Sequence, residues 1–193
     1  MKAMKSHPAL WIAFALSALP AAATTMWKSD VTELARSSAS VVRGTVQNIQ
    51  SHWTGDHMRI VTDVDIAVTE TLKGEPARTV RVTQPGGQVG HLGQSVEGIA
   101  AFAQGEDVVV FLTPAGSRQF ALAGMAQGKY SISRAADQKT LLAIPERSGA
   151  VMLDRTTRAP MAMTPAPLAL DTLREKVRLS DAARPKPSTR ITP

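Results

Sequence analysis

The chain contains no cysteine. Disulfides, thiolate metal sites, a cysteine nucleophile and a lipid-modified N-terminal cysteine are therefore excluded. Aromatic residues are scarce, at three Trp, one Tyr and four Phe in 193 residues, which argues against stacking platforms for bases or sugars. No apolar run reaches the roughly 20 residues that a membrane-spanning helix needs. The net charge of +6 is scattered rather than gathered into a patch, so it gives no nucleic-acid footprint. What is present is an apolar fraction of 44% with 20% charged residues, the balance of a globular chain of one domain.

The first 23 residues have the three parts of an export signal. Lys2 and Lys5 are its positive start, residues 8–19 are apolar apart from Ser17, and Ala21-Ala22-Ala23 offers an A-x-A cleavage site. Residues 1–23 are read as a signal peptide and the mature chain as periplasmic or secreted, with no transmembrane segment. Without Lys2 and Lys5 the balance is 20 basic against 16 acidic residues. A mature chain without cysteine must be held by its core alone, and its length is sufficient for that.

Asp30 with Glu33 three residues on is a capping box, and it predicts a short helix over 31–38 with Val31, Leu34 and Ala35 inward. The period then changes to two. Val42, Gly44 and Val46 share a face but Ile49 is out of phase, which predicts a bulge near Gln47 and Asn48. Residues 57–72 form the clearest strand, with Met58, Ile60, Val64, Ile66, Val68 and Leu72 alternating against polar positions. After the turn Lys73-Gly74-Glu75-Pro76, a short strand over 79–83 turns Val80 and Val82 inward. Glycines at 86, 87, 90, 93, 98 and 105 then predict a surface loop to Gly93 and a strand over about 95–102. The run 108–112 is continuously apolar, which is the mark of a central strand covered on both faces. Shorter strands follow around Phe120 and Leu122, around Tyr130 and Ile132, and at an edge over 140–144.

The domain reading is a β-barrel over 24–145, a linker over 146–167, a short helix over 168–180 and a disordered tail over 181–193. The expected fold is mainly β: a small antiparallel OB-like barrel with a short N-terminal and a C-terminal helix. A two-sheet sandwich is the alternative. The run Ser40-Val41-Val42-Arg43-Gly44-Thr45-Val46, residues 64–68, Thr71-Leu72-Lys73-Gly74 and residues 105–112 resemble uncharacterised exported bacterial proteins. The same order is similar to the netrin-like barrel of tissue metalloproteinase inhibitors, over residues 40–133. That resemblance implies a fold. The inhibitors act through an N-terminal cysteine, which this chain lacks, so their mechanism does not transfer.

Candidate sites divide between chemistry and plain structure. Gly86-Gly87-x-x-Gly90-x-x-Gly93 looks like a phosphate cradle, but no helical segment follows it. Asp63 and Asp65 share a strand face at about 6.5–7 Å between Cα atoms. Such pairs perform acid–base work in glycosidases, but on a wet face, with Arg59 as neighbour, they solvate the strand. His52, His57 and His91 are the histidines outside the leader. The first two flank a turn with Asp56 that suits zinc or copper, but no tight ligand motif is present. No G-x-S-x-G elbow appears, and no catalytic residue, metal ligand or cofactor is assigned. The binding residues singled out are Trp53, Gly86, Gly87, Gly90 and His91, on the loop 84–94 and the turn around Trp53. Their expected partner is an extracytoplasmic protein, peptide or glycan. A metal-binding factor, or a hydrolase built around His91 with the Asp63/Asp65 pair, is the alternative.

Overall fold

Asp30 opens the first helix as a reciprocal cap: its carboxylate accepts from the Glu33 N–H at 2.8 Å, and Glu33 accepts from the Asp30 N–H. The computed structural model describes residues 25–147, 151–154, 156–161 and 166–183, so the leader 1–23 and the tail beyond 183 lie outside the described residues. In chain order the elements are β1 (Thr25–Trp27), α1 (Val31–Ser37), β2 (Ser40–Trp53), β3 (Ile60–Lys73) and β4 (Thr79–Pro85). There follow β5 (Gly87–Val89), β6 (Leu92–Gln94), β7 (Asp107–Gly116), β8 (Gln119–Leu122) and a 3-10 turn (Met125–Gly128). The rest are β9 (Lys129–Arg134), β10 (Leu141–Pro145), β11 (Val151–Leu153), β12 (Pro160–Met161), β13 (Leu168–Ala169) and α2 (Leu170–Ala182). The protein is mainly β.

One eight-stranded sheet runs in the order β13-β10-β9-β7-β2-β3-β4-β8, and β7 pairs with β8 as well. Five strands, β2, β3, β4, β8 and β7, are thus each bonded to two others of the set. The β4–β8 link is a single parallel pair, Val82 with Phe120. The predicted bulge is present as a register shift between Val46 and Asn48, which brings Ile49 opposite Val64.

Strand β7 explains the arrangement of the core. Val108, Val110 and Leu112 pack with Val42, Val46, Val64, Ile66, Val80 and Val82 in one cluster. Val109 and Phe111 point the other way, into a second cluster with Leu34, Ala35, Leu170, Leu173 and Val177 of the two helices. Alternate residues therefore serve two cores, and the unbroken apolar run follows from that. Buried Lys73 ties the end of β3 to α1 by donating from Nζ to the Ala35 and Ser38 carbonyls at 2.5 and 2.9 Å. A cation there complements the negative end of the helix.

Three expectations need correction. Residues 87–94 form a hairpin, β5–β6, rather than an irregular loop, with Gly90 at φ +60° in its turn. The strand expected over 95–102 is not formed. Gly98 and Gly105 take positive φ, and side chains replace the ladder: Gln84 Nε2 donates to the Ala100 carbonyl, and the Ala103 N–H donates to Glu106. Finally, β3 begins at Ile60, and Met58 lies in the preceding turn at 75% exposure instead of on the buried face. Within the stretch read as a linker, β11 pairs with β1 and β12. No helix among the described residues is long and apolar enough to cross a membrane.

Candidate functional site

Ile60 is where the two predicted binding segments meet. Its cross-strand partner is Trp53, the last residue of β2. Its N–H donates to Gln94 Oε1 at 2.8 Å, and its carbonyl accepts from the Gly86 N–H at 2.9 Å. The base of the glycine-rich hairpin is thus bolted to the far end of the long β2–β3 hairpin. Both glycines at the crossing are required. Gly86 and Gly87 have φ of +92° and +132°, and a Cβ on Gly87 would collide with Ser51 Oγ and Thr62 Oγ1. Those two hydroxyls bond each other at 2.9 Å, and Thr62 Oγ1 donates to the Gly86 carbonyl at 2.7 Å. Because the hairpin base seals buried Ile60 and Thr62, shortening it would disturb packing.

Beyond this anchor two large apolar side chains, Met58 and Leu92, are exposed among polar and glycine residues. Leu92 is 61% exposed beside exposed Gly90 and His91, and Trp53 is half-buried. The tip that presents Met58 is ordered by Asp56, which accepts from the Met58 N–H at 3.1 Å and from the Thr54 hydroxyl at 2.5 Å. Those bonds hold the Asp56 carboxyl below its ordinary pKa, the Thr54 contact contributing most. Asp56 is spent on its own turn.

The opposite face of the hairpin carries the two aspartates, and each has a cross-strand partner. Arg81, rather than Arg59, grips Asp65 through two bonds of 2.7 and 3.0 Å. Thr83 donates to Asp63 at 2.6 Å, and His52 Nε2 lies 3.2 Å from the same carboxylate. The Arg81 bonds hold Asp65 below the usual carboxylate range. His52 is raised, first by its bond to the Trp53 carbonyl and then by Asp63. An acid–base pair needs two carboxylates whose pKa values are pushed apart, with one kept protonated. Here the Arg81 guanidinium favours the ionised form of Asp65. His52, His57 and His91 lie on β2, on the tip and in the β5–β6 turn respectively. Among the described residues, no group of three or more His, Asp or Glu is placed to hold a metal. After Gln94 the described chain enters an irregular segment, so no helix N-terminus follows the glycines.

One cluster escaped the sequence reading. Lys129 is 2% exposed, and its Nζ donates to Glu106 at 2.8 Å and Glu146 at 2.7 Å while lying 5.0 Å from the centre of the Phe102 ring. Ser131 Oγ also donates to Glu106. Burial pushes the Glu106 carboxyl up, but bonds from Lys129, Ser131 and the Ala103 N–H outweigh it and leave the pKa lowered. A lowered folded pKa contributes stability above the unfolded value of 4.5, and that stability is lost as the pH falls through the folded value. The Glu106→Gln variant should therefore melt below wild type at pH 7, and the gap should narrow as the pH falls below 4.5. Thermal melts across that range check this, and a gap independent of pH contradicts it.

No protein-family model matches the chain, and no curated protein matches it significantly.

Proposed function

We propose that the chain is an exported, non-enzymatic OB-like barrel that binds a polypeptide partner through its two joined hairpins. The observation that carries this reading is the anchor at Ile60. It holds a glycine-rich hairpin and the Trp53 turn together as one surface, with Met58 and Leu92 exposed on them. Loops held by a rigid scaffold are where recognition concentrates, and aromatic residues with neighbouring aliphatics make binding hot spots. Aliphatic exposure favours a polypeptide over a glycan, which needs aromatic platforms. The barrel reading is supported by the five strands that each pair with two others, as in the small Greek-key barrels that recognise ligands through their connecting loops. Export is supported by the signal-like residues 1–23.

The test uses point changes that leave the anchor intact. Trp53→Ala and Leu92→Ser should each weaken capture of the partner from envelope extract, by about 30-fold for a hot-spot side chain worth ~2 kcal/mol. Melting should shift by only a few degrees, because neither residue belongs to either core cluster. Capture at wild-type strength by both folded variants would remove the surface from consideration.

A further inference from the structure

The two ring nitrogens of His52 face a carbonyl and a carboxylate. Nδ1 lies 3.0 Å from the Trp53 carbonyl oxygen, and Nε2 lies 3.2 Å from Asp63 Oδ2. Both of those oxygens accept and neither donates. A neutral imidazole carries one N–H, so in either tautomer one contact would set a nitrogen lone pair against an oxygen. Turning the ring over would place carbon atoms at both positions. The imidazolium, with two N–H groups, is the form that satisfies both contacts.

Both acceptors are placed by other parts of the fold. Ile60, the register partner of Trp53, spends its N–H on Gln94 and its carbonyl on Gly86, so it gives the Trp53 carbonyl no donor. The Asp63 side chain is 13% exposed and is held from β4, where the Thr83 hydroxyl donates to its other oxygen at 2.6 Å. Arg81, also on β4, makes its two short bonds to Asp65 and stands 3.8 Å from Asp63 Oδ2, which leaves that oxygen to His52. Asp63 and Arg81 are the charged groups that face the ring from β3 and β4, and they act on its proton in opposite senses. The bond to the Trp53 carbonyl, and then Asp63, outweigh partial burial and the Arg81 charge, so the ring holds its proton above the ordinary value of 6.5.

We propose that His52 is a proton-operated clamp beside Trp53: as the imidazolium it ties the end of β2 to Asp63 on β3, and on losing its proton it lets the Trp53 carbonyl go. The one N–H that remains stays with Asp63, because a carboxylate is the stronger acceptor. The clamp is closed below 6.5 and opens as the pH rises through the higher value that its two contacts set. Its purpose rests on the recognition reading, since Trp53 lies on the proposed surface. A closed clamp orders the chain at Trp53 before a partner arrives, which lowers the ordering cost of binding, so capture is strongest on the acid side.

A pH titration followed by nuclear magnetic resonance tests the clamp on the protein alone, so it stands or falls apart from partner capture. The His52 ring nitrogens should both carry protons past pH 6.5, and the Trp53 carbonyl carbon and Thr54 amide should shift with the same midpoint as the ring. His52→Gln, a change at a half-exposed side chain, should remove the Trp53 and Thr54 transitions while leaving the rest of the spectrum in place. Asp63→Asn should move the His52 midpoint down. A His52 midpoint at or below 6.5, or Trp53 and Thr54 signals that do not follow the ring, would overturn the proposal. So would transitions that persist in His52→Gln, which would assign them to another group such as His57 on the same tip. If Asp63→Asn does not fold, wild type and His52→Gln decide.

Discussion

Lys129→Met is expected to destabilise the protein by about 2–3 kcal/mol, less than the ~3–5 kcal/mol for breaking a fully buried ion pair, because both carboxylates are part-exposed. The lysine is 2% exposed and stands between Glu106 and Glu146, both within 2.8 Å of its Nζ. Without it two carboxylates share a site with no cation, and one of them must take up a proton or drag water inward. The loss arises from stranded charge rather than missing volume, because Met keeps most of the aliphatic stem. A triple variant, Lys129→Met with Glu106→Gln and Glu146→Gln, should therefore recover most of the stability. Urea denaturation reads both differences. A wild-type midpoint for the single variant, or no recovery in the triple, contradicts this account of the cluster.

Val110→Asp should leave no folded protein. Val110 is fully buried at the centre of β7, opposite Val42 on one side and Lys129 on the other. An unpaired carboxylate there costs on the order of 5 kcal/mol or more, comparable with the whole stability of a domain of this size. Lys129 is near enough to invite rescue, but it already neutralises one of two glutamates and has no charge to spare. Circular dichroism with a cooperative melt near that of wild type would contradict both the strand's place and the packing of its two faces.

What was legible in the sequence is what local periodicity encodes. The Asp30–Glu33 box, the bulge after Val46, the inward Val80 and Val82, and the helix face of Leu173 and Val177 each follow from spacing within a few residues. The double coverage of β7 was legible for the same reason. Long-range partners were not. Glu106 precedes an apolar strand and reads as a turn residue, and nothing near it announces Lys129, 23 positions on. Asp63 and Asp65 read as solvated carboxylates beside Arg59, and only the pairing of β4 brings Arg81 and Thr83 across from them. Met58 fits the alternation of β3, but the Asp56 turn captures its backbone first. The segment 95–102 reads as a strand, yet Gly98 leaves the extended region. Of the candidate site, Trp53 and the paired glycines were named from local chemistry. The anchor at Ile60 depends on Gln94, a residue that carries no motif.

Position-specific photo-crosslinking in the cells that make the protein decides whether the joined hairpins face a polypeptide partner. A photoreactive residue at position 92 or 58 replaces a side chain that is already exposed, so the fold is spared. Position 144 on β10, exposed but far along the sheet order from β2 and β3, is the control. The expected result is one discrete adduct with the same partner polypeptide from positions 92 and 58, and none from 144. Adducts absent from both hairpin positions, or equally strong from position 144, would contradict the claim.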